Sequence, residues 1–216
     1  IGKYAENMYW DKASGLLDQM ACAVGGLITI DFLEPAAPKV EKIDFDFASR
    51  NHSLIIVQTG KGHADLSADY LKLEERKVLS VTEETKEGCE GFGRVGMLPK
   101  QMSLRECGEF VKAALSLNDV KIYGDLEQSV HRAAICTGSG KSMISDVLAK
   151  GADVYVTGDI DHHTGIDAVA AGLAVIDAGH YGTEYIFMDA MKKELTQAFP
   201  ELKISCAEVK SPYTIL

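Results

Sequence analysis

The chain has 216 residues, 46% hydrophobic and 25% charged, a soluble globular composition that can bury one good core or two small ones. Acidic residues outnumber basic ones 32 to 22 and no basic run exceeds two residues, so nucleic-acid binding by counterion release has no footprint. The longest uncharged run, Met20 to Ile30, is too short to cross a bilayer and no signal peptide is visible. Five scattered cysteines without CxxC spacing fit a reducing compartment, so a cytoplasmic location is expected. The chain opens on Ile1, which points to a missing true start.

The first 60 residues predict a helical stretch, then a second helix capped by Ser14 and running to about Ala23. Three strands follow: LITIDF (27–32), KIDFDF (42–47) and SLIIVQTG (53–60), the first two separated by the proline-marked turn EPAAPK. This part reads as an α+β, sheet-rich fragment. From about Leu71 the pattern changes. LKLEERKVLSVTEETKEGCEG is charged and loop-like with one possible strand, GFGRVGML (91–98) reads as a strand, and SLRECGEFVKAAL opens with a capping box from Ser103 to Glu106. Strands and helices then alternate. VHRAAIC (130–136), a helix over 142–150, ADVYV, a helix around Ile166 to Ala171, AVIDA (174–178), a helix from Thr183 to Phe199 and KISCAEV (203–209) predict successive βα units. An α/β fold with a parallel, helix-covered sheet follows.

The stretch from Thr157 to Glu184 concentrates Asp159, Asp161, His162, His163, His180 and Glu184 around one apolar strand. These are ligand types of hard and borderline divalent metals. Both clusters directly follow predicted strands, and in open parallel sheets ligands bind beyond the carboxyl ends of the strands, where neighbouring loops converge. Taken alone, His180 and Glu184 read more readily as a capping and surface pair at a helix start than as a metal site. Adjacent His162 and His163 point in different directions, which assigns His162 to the surface. Asp159 and Asp161 read either as caps of the next helix or, for Asp159, as a group that orients a ligand.

GFGRVGMLPKQMSL, CTGSGKS, GADVYVTGDIDHH and above all GLAVIDAGHYGTE resemble, in order and spacing, the C-terminal part of the NIF three-like proteins, also named GTP cyclohydrolase I type 2 homologues. The resemblance covers residues 71–216. It implies a dinuclear metal centre, hydrolase-type two-metal chemistry on an unknown small-molecule substrate, and a ring-shaped homo-oligomer, a hexamer. It carries a metal-ligand role onto His180 and Glu184, with His163 beside the site; zinc, manganese, iron and magnesium are all compatible ions. The family's remaining ligands, a histidine pair and an aspartate, belong to its N-terminal half. His52 and His63 do not reproduce its His-His-Pro pattern, so weak or single-ion binding is expected.

Residues 1–70 resemble an internal stretch of bacterial galactokinases, on IGKYAENMYWDKASGLLDQMACAVGGLITIDF and the segment to Tyr70. The GLLDQ motif places that family's catalytic aspartate at Asp18, which reads equally as a helix first-turn carboxylate. The galactose signature and the ATP loop are absent, so kinase activity is not expected. A seam between two joined sequences is expected between His63 and Leu71, within HADLSADYLKL. The alternatives to a metal-binding hydrolase-like protein are thus a sugar-kinase fragment and an inactive chimera that keeps only folding and assembly. GSGKS (138–142) is not a P-loop, because Ile135 stands where the first glycine is required; it reads as a tight turn or a weak anion site. Cys136 reads as a structural thiol.

Overall fold

A computed structural model describes residues 17–34, 37–52, 63–85 and 88–208 of the chain. The chain divides into two compact units, Ile1–Gln58 and Thr59–Leu216. In the first, helix α1 (Leu17–Val24) precedes an antiparallel pair, β1 (Ile28–Asp31) and β2 (Lys39–Lys42), with Ile28 opposite Lys42 and Asp31 opposite Lys39. The expected strand at 27–32 is present as β1. The second expected strand, 42–47, is displaced: pairing ends at Lys42, and Asp46 accepts hydrogen bonds from the backbone of Ala48 (3.0 Å) and Ser49 (3.3 Å) to start a 3₁₀ turn over Ala48–Arg50. Aspartate bonding its own downstream backbone competes with the sheet ladder there. The expected strand at 53–60 and the Ser14 cap lie outside the described residues, as does the side chain of Asp18.

The second unit holds α2 (His63–Tyr70), β3 (Glu74–Thr85), β4 (Gly88–Ser103), α3 (Leu104–Ala114), β5 (Lys121–Tyr123), β6 (Ser129–Ser139) and, after a 3₁₀ turn, α4 (Ile144–Ala149). It continues with β7 (Val154–Gly158), α5 (His162–Ala170), β8 (Ala174–Asp177), α6 (His180–Glu184) and α7 (Ile186–Ala198). Six strands form one sheet in the order β3-β4-β6-β7-β8-β5. Only β6, β7 and β8 run parallel. β3 with β4, β4 with β6 and β5 with β8 are antiparallel. The expected parallel sheet is therefore a mixed one. GFGRVGML (91–98) is a strand as expected, within β4, but it runs antiparallel to β6. The charged segment read as loop-like with one possible strand supplies β3, its hairpin partner. β3 is an edge strand, where Glu, Lys and Arg replace the apolar alternation that marks an interior strand.

Three more expectations are corrected. The helix expected to start at Thr183 starts at His180 and is broken at Tyr185 into α6 and α7. The short β5 was not foreseen. Residues 203–208 form no strand, since β5 occupies the sheet edge beside β8 and Cys206 Sγ instead lies 3.6 Å from the Met188 carbonyl of α7. The capping box of α3 is as expected: Ser103 Oγ accepts from Glu106 N (3.2 Å) and Glu106 Oε2 from Ser103 N (2.8 Å).

Side-chain alternation along the central strands builds two cores, one on each face. Ala133, Ile135, Val154, Val156, Ala174 and Ile176 face one way, against Ala68 and Leu71 at α2, Leu104, Cys107 and Val111 of α3, and Ile186 of α7. Ala134, Tyr155 and Val175 face the other way, with Val147 of α4 and Ala168 of α5. Period-two alternation with apolar residues on both faces is what a helix-covered central strand requires. Cys107 is fully buried in the first core, and burial pushes its thiol pKa up to about 12. In the native protein Cys107 should not react with a disulfide reagent, while exposed Cys22, Cys89 and Cys206 do; unfolding should release it. Reaction of Cys107 at the rate of the exposed thiols would show that this core is open.

Candidate metal centre

The parallel strands β6, β7 and β8 end together, at Ser139, Gly158 and Asp177. The loops that leave them, 139–141, 159–161 and 178–180, share one rim of the sheet. Ala178 N donates to Thr157 O (2.7 Å), tying the last two together. Contact at the rim is close: a Cβ on Gly158 would lie 2.6 Å from the Gly179 carbonyl carbon and 2.7 Å from His180 N.

His180, the first residue of α6, is held at both ring nitrogens. Nδ1 lies 2.7 Å from Asp159 Oδ2 and Nε2 3.3 Å from Glu184 Oε2. Each of the three side chains is about half exposed. The hydrogen bond to Asp159 raises the His180 pKa above its ordinary value; partial burial opposes the rise, and the negative charges of Glu184 and Asp159 add to it. Glu184 sits one helical turn beyond His180, so both side chains lie on one face. That face lies against Gly138, where an added Cβ would be 2.8 Å from Glu184 Oε1 and 3.3 Å from His180 Nε2. Gly138 also adopts φ +66°, which favours glycine.

Asp161, which the sequence reads as a cap, and Asp159, which it reads either as a cap or as a group that orients a ligand, separate cleanly. Asp161 is the N-cap of α5, accepting from Thr164 N (3.0 Å) and Thr164 Oγ1 (2.8 Å); those bonds, helped by Lys141, hold its pKa down at about 2. Asp159 caps nothing and turns to His180 from a left-handed backbone, φ +57°. His163 lies exposed on α5 with its ring edge-on to His162, 5.5 Å between centroids. The bonds described thus gather His180, Glu184 and Asp159, and His163 is not among them. Among the described residues no group of three or more His, Cys, Asp and Glu is set to hold a metal ion. Asp159 bonds the ring nitrogen opposite the one that faces Glu184.

Several residues beneath the site escape a reading of sequence. Asp177, 7% exposed, accepts from Asp159 N (3.1 Å) and Gly179 N (3.1 Å) on Oδ1, and from Ile160 N (3.0 Å) on Oδ2, where Lys121 Nζ also lies at 2.8 Å. Burial works against the charge of Lys121, but its hydrogen bonds to Asp177 and Tyr123 prevail and raise its pKa. The buried Thr183 hydroxyl accepts from Gly138 N (2.9 Å), and Thr157 Oγ1 donates to Gly138 O (3.3 Å), fixing the glycine loop below Glu184. The available signal for Asp177 is a carboxylate that ends a wholly apolar strand, where a charge needs a dedicated set of donors.

These features define a mixed α/β protein with a histidine–carboxylate pair at the carboxyl ends of its parallel strands. The family model described as Duf34/NIF3 (NGG1p interacting factor 3) matches residues 57–212, and the chain belongs to that family. A "GTP cyclohydrolase 1 type 2 homolog" of Streptococcus pneumoniae is 38% identical over 146 residues, 66% of this chain and 52% of its own length. One of Listeria monocytogenes is 45% identical over 91 residues, 42% of this chain and 24% of its own length. The chain thus spans about half or less of these curated relatives. Among solved structures, a Bacillus cereus protein related to NIF3 has the same fold, with TM-score 0.64 at 19% identity over 72% of this chain and 70% of that one. Reduced HcgD from Methanocaldococcus jannaschii matches with TM-score 0.50 at 31% identity, covering 63% and 51%. No described helix is long and apolar enough to cross a membrane.

Proposed function

We propose that this chain binds a divalent metal ion through His180 Nε2 and the Glu184 carboxylate, as part of a hydrolase-type centre. The observation that carries the reading is the convergence of these two groups to 3.3 Å over a glycine whose missing side chain leaves them room. One imidazole nitrogen and one carboxylate fit the donor preferences of zinc, manganese, iron or magnesium. Asp159 would keep the Nδ1 proton in place and so present the Nε2 lone pair to the ion. A bound ion supplies Lewis acidity and a water of lowered pKa, roughly 7 in favourable sites. About three protein ligands are usual at a catalytic ion, so two donors predict weak, single-ion binding. A homo-oligomer, as the family resemblance implies, is part of this proposal.

Titration calorimetry with manganese tests it. The expected result is at most one weak site per chain, lost in both His180→Ala and Glu184→Gln. Binding that persists in both variants would refute the assignment, and two tight sites per chain would refute the truncated centre. From the sequence we further propose that the residues upstream of 57, where the family match opens, rather than the whole of 1–70, derive from a galactokinase-like source without its phosphate cradle. ATP-dependent galactose phosphorylation should then be undetectable, and its detection would restore the kinase reading for Asp18. The family match opens at residue 57 and the division of the chain falls at Gln58/Thr59; single-molecule sequencing of the natural template across residues 60–75 tests the joined origin.

A further inference from the structure

We propose that Asp177 is the positioning residue of this site: its carboxylate holds the Asp159 loop and the Gly179 turn in the one arrangement that lets Asp159 grip His180 Nδ1. The proposal rests on the reading of His180 as a ligand only for its consequence, since the positioning itself belongs to the metal-free protein. Oδ1 receives the N–H of Asp159 and of Gly179, both at 3.1 Å, and so joins the loop after β7 to the loop after β8. Oδ2 receives Ile160 N (3.0 Å) and pairs with Lys121 Nζ (2.8 Å). Lys121 Nζ also donates to Ile160 O (2.8 Å), and Tyr123 Oη donates to the same carbonyl (3.2 Å). The 159–160 segment is therefore held by its N–H groups and its carbonyl from a single cluster on β8 and β5.

Two details make this more than generic packing. Asp159 sits at φ +57°, a left-handed conformation open to aspartate more than to most side chains. In that turn its N–H is bonded to Asp177 while its own carboxylate lies 2.7 Å from His180 Nδ1, so the Asp177 bond anchors the backbone that aims the Asp159 side chain. Gly179, the N-cap residue immediately before His180 and α6, is bonded to the same Asp177 oxygen. One carboxylate thereby fixes both partners of the Asp159–His180 bond. The two carboxylates compete for the single proton of neutral His180, and the shorter contact selects the tautomer: the proton sits on Nδ1, 2.7 Å from Asp159, rather than on Nε2, 3.3 Å from Glu184.

The test is long-range proton–nitrogen NMR of the metal-free protein labelled at histidine, at alkaline pH where the imidazoles are neutral. His180 is assigned by the signal lost in His180→Ala. The wild type should show His180 protonated at Nδ1. Asp177→Asn keeps the shape but sets an NH2 group against N–H donors, whichever way the amide turns, so the cluster that holds the 159–160 segment and Gly179 loses one of its two acceptor oxygens. His180 should then shift toward the Nε2-protonated form that Glu184 favours, as it should in Asp159→Asn. A wild-type His180 signature in folded Asp177→Asn, whatever the loss of thermal stability, would overturn the proposal. If Asp177→Asn does not fold, Lys121→Met gives the same readout through the Oδ2 half of the cluster. A partial loss of the Nδ1-protonated form is then expected, and an unchanged signature overturns the proposal. Where manganese binds the wild type, Asp177→Asn should weaken it about 10–100-fold. Absence of manganese binding altogether would refute the metal reading and leave the tautomer test standing.

Discussion

Gly158→Ala should destabilise the protein by about 2–3 kcal/mol, the upper part of the range for overpacking a tight site, and should move His180 out of reach of Asp159. The new methyl would lie 2.6 Å from Gly179 C, 2.7 Å from His180 N and 2.8 Å from Gly179 O. All three are backbone atoms, so no rotamer change relieves the overlap. The turn after β8 cannot simply retreat, because Gly179 N is bonded to Asp177 and Ala178 N to Thr157 O. Relief must break one of those bonds or push β7 from the sheet. Gly158 itself has an ordinary backbone conformation, so the effect is steric rather than a matter of dihedral strain. Denaturant unfolding measures the first effect and the His180 NMR signature the second. Stability within about 0.5 kcal/mol of wild type, the usual scatter of neutral surface changes, would show that the two loops are not in the contact described.

The sequence makes β7 and β8 visible because both are continuous apolar runs between polar turns, and every residue of both is buried. It makes the α3 cap visible because the capping box is a local signal between Ser103 and Glu106. β4 is anticipated by GFGRVGML (91–98), but its partner β3 is obscured for the opposite reason. β3 lies at the sheet edge and carries Glu74, Glu75, Arg76, Lys77, Glu83 and Glu84, all exposed, so charge obscures the alternation that would announce a strand. At the site, His180 and Glu184 are legible from their spacing and from the family motif. Asp159 and Asp161 are only partly distinguishable: each precedes a helix and suits a cap, and Asp159 alone also reads as a group that orients a ligand. Only the backbone turn at Asp159 and the Thr164 contacts of Asp161 tell them apart, and both are consequences of tertiary structure. Asp177 is the clearest case. Its role depends on donors from residues 121, 159, 160 and 179, which no local pattern brings together.

Arg94→Ala should cost about 2–3 kcal/mol, as expected for removing a charged hydrogen-bonding group that is largely buried while its partner is partly hydrated. The Arg94 side chain is only 12% exposed. Its Nε and Nη2 donate in parallel to the two carboxylate oxygens of Asp65, at 2.5 and 2.7 Å, and its Nη1 donates to the carbonyls of Gly93 (2.8 Å) and Gly91 (3.2 Å). The fork thereby fastens α2 to β4 next to the core to which Ala68 and Leu71 contribute. Asp65 belongs to HADLSADY, the segment in which a seam is expected from the sequence, and its ion pair with Arg94 ties it to β4 within the second unit. Loss of Arg94 leaves Asp65 without its partner, but Asp65 is 47% exposed and water offsets part of the loss, which keeps the effect below that of breaking a fully buried pair. Arg94→Lys retains charge without the planar fork and should recover about half of the difference. A double-mutant cycle with Asp65→Asn isolates the pair from the carbonyl contacts. A coupling energy near zero, with the loss confined to Arg94, would assign the stabilisation to the β4 turn rather than to the attachment of α2.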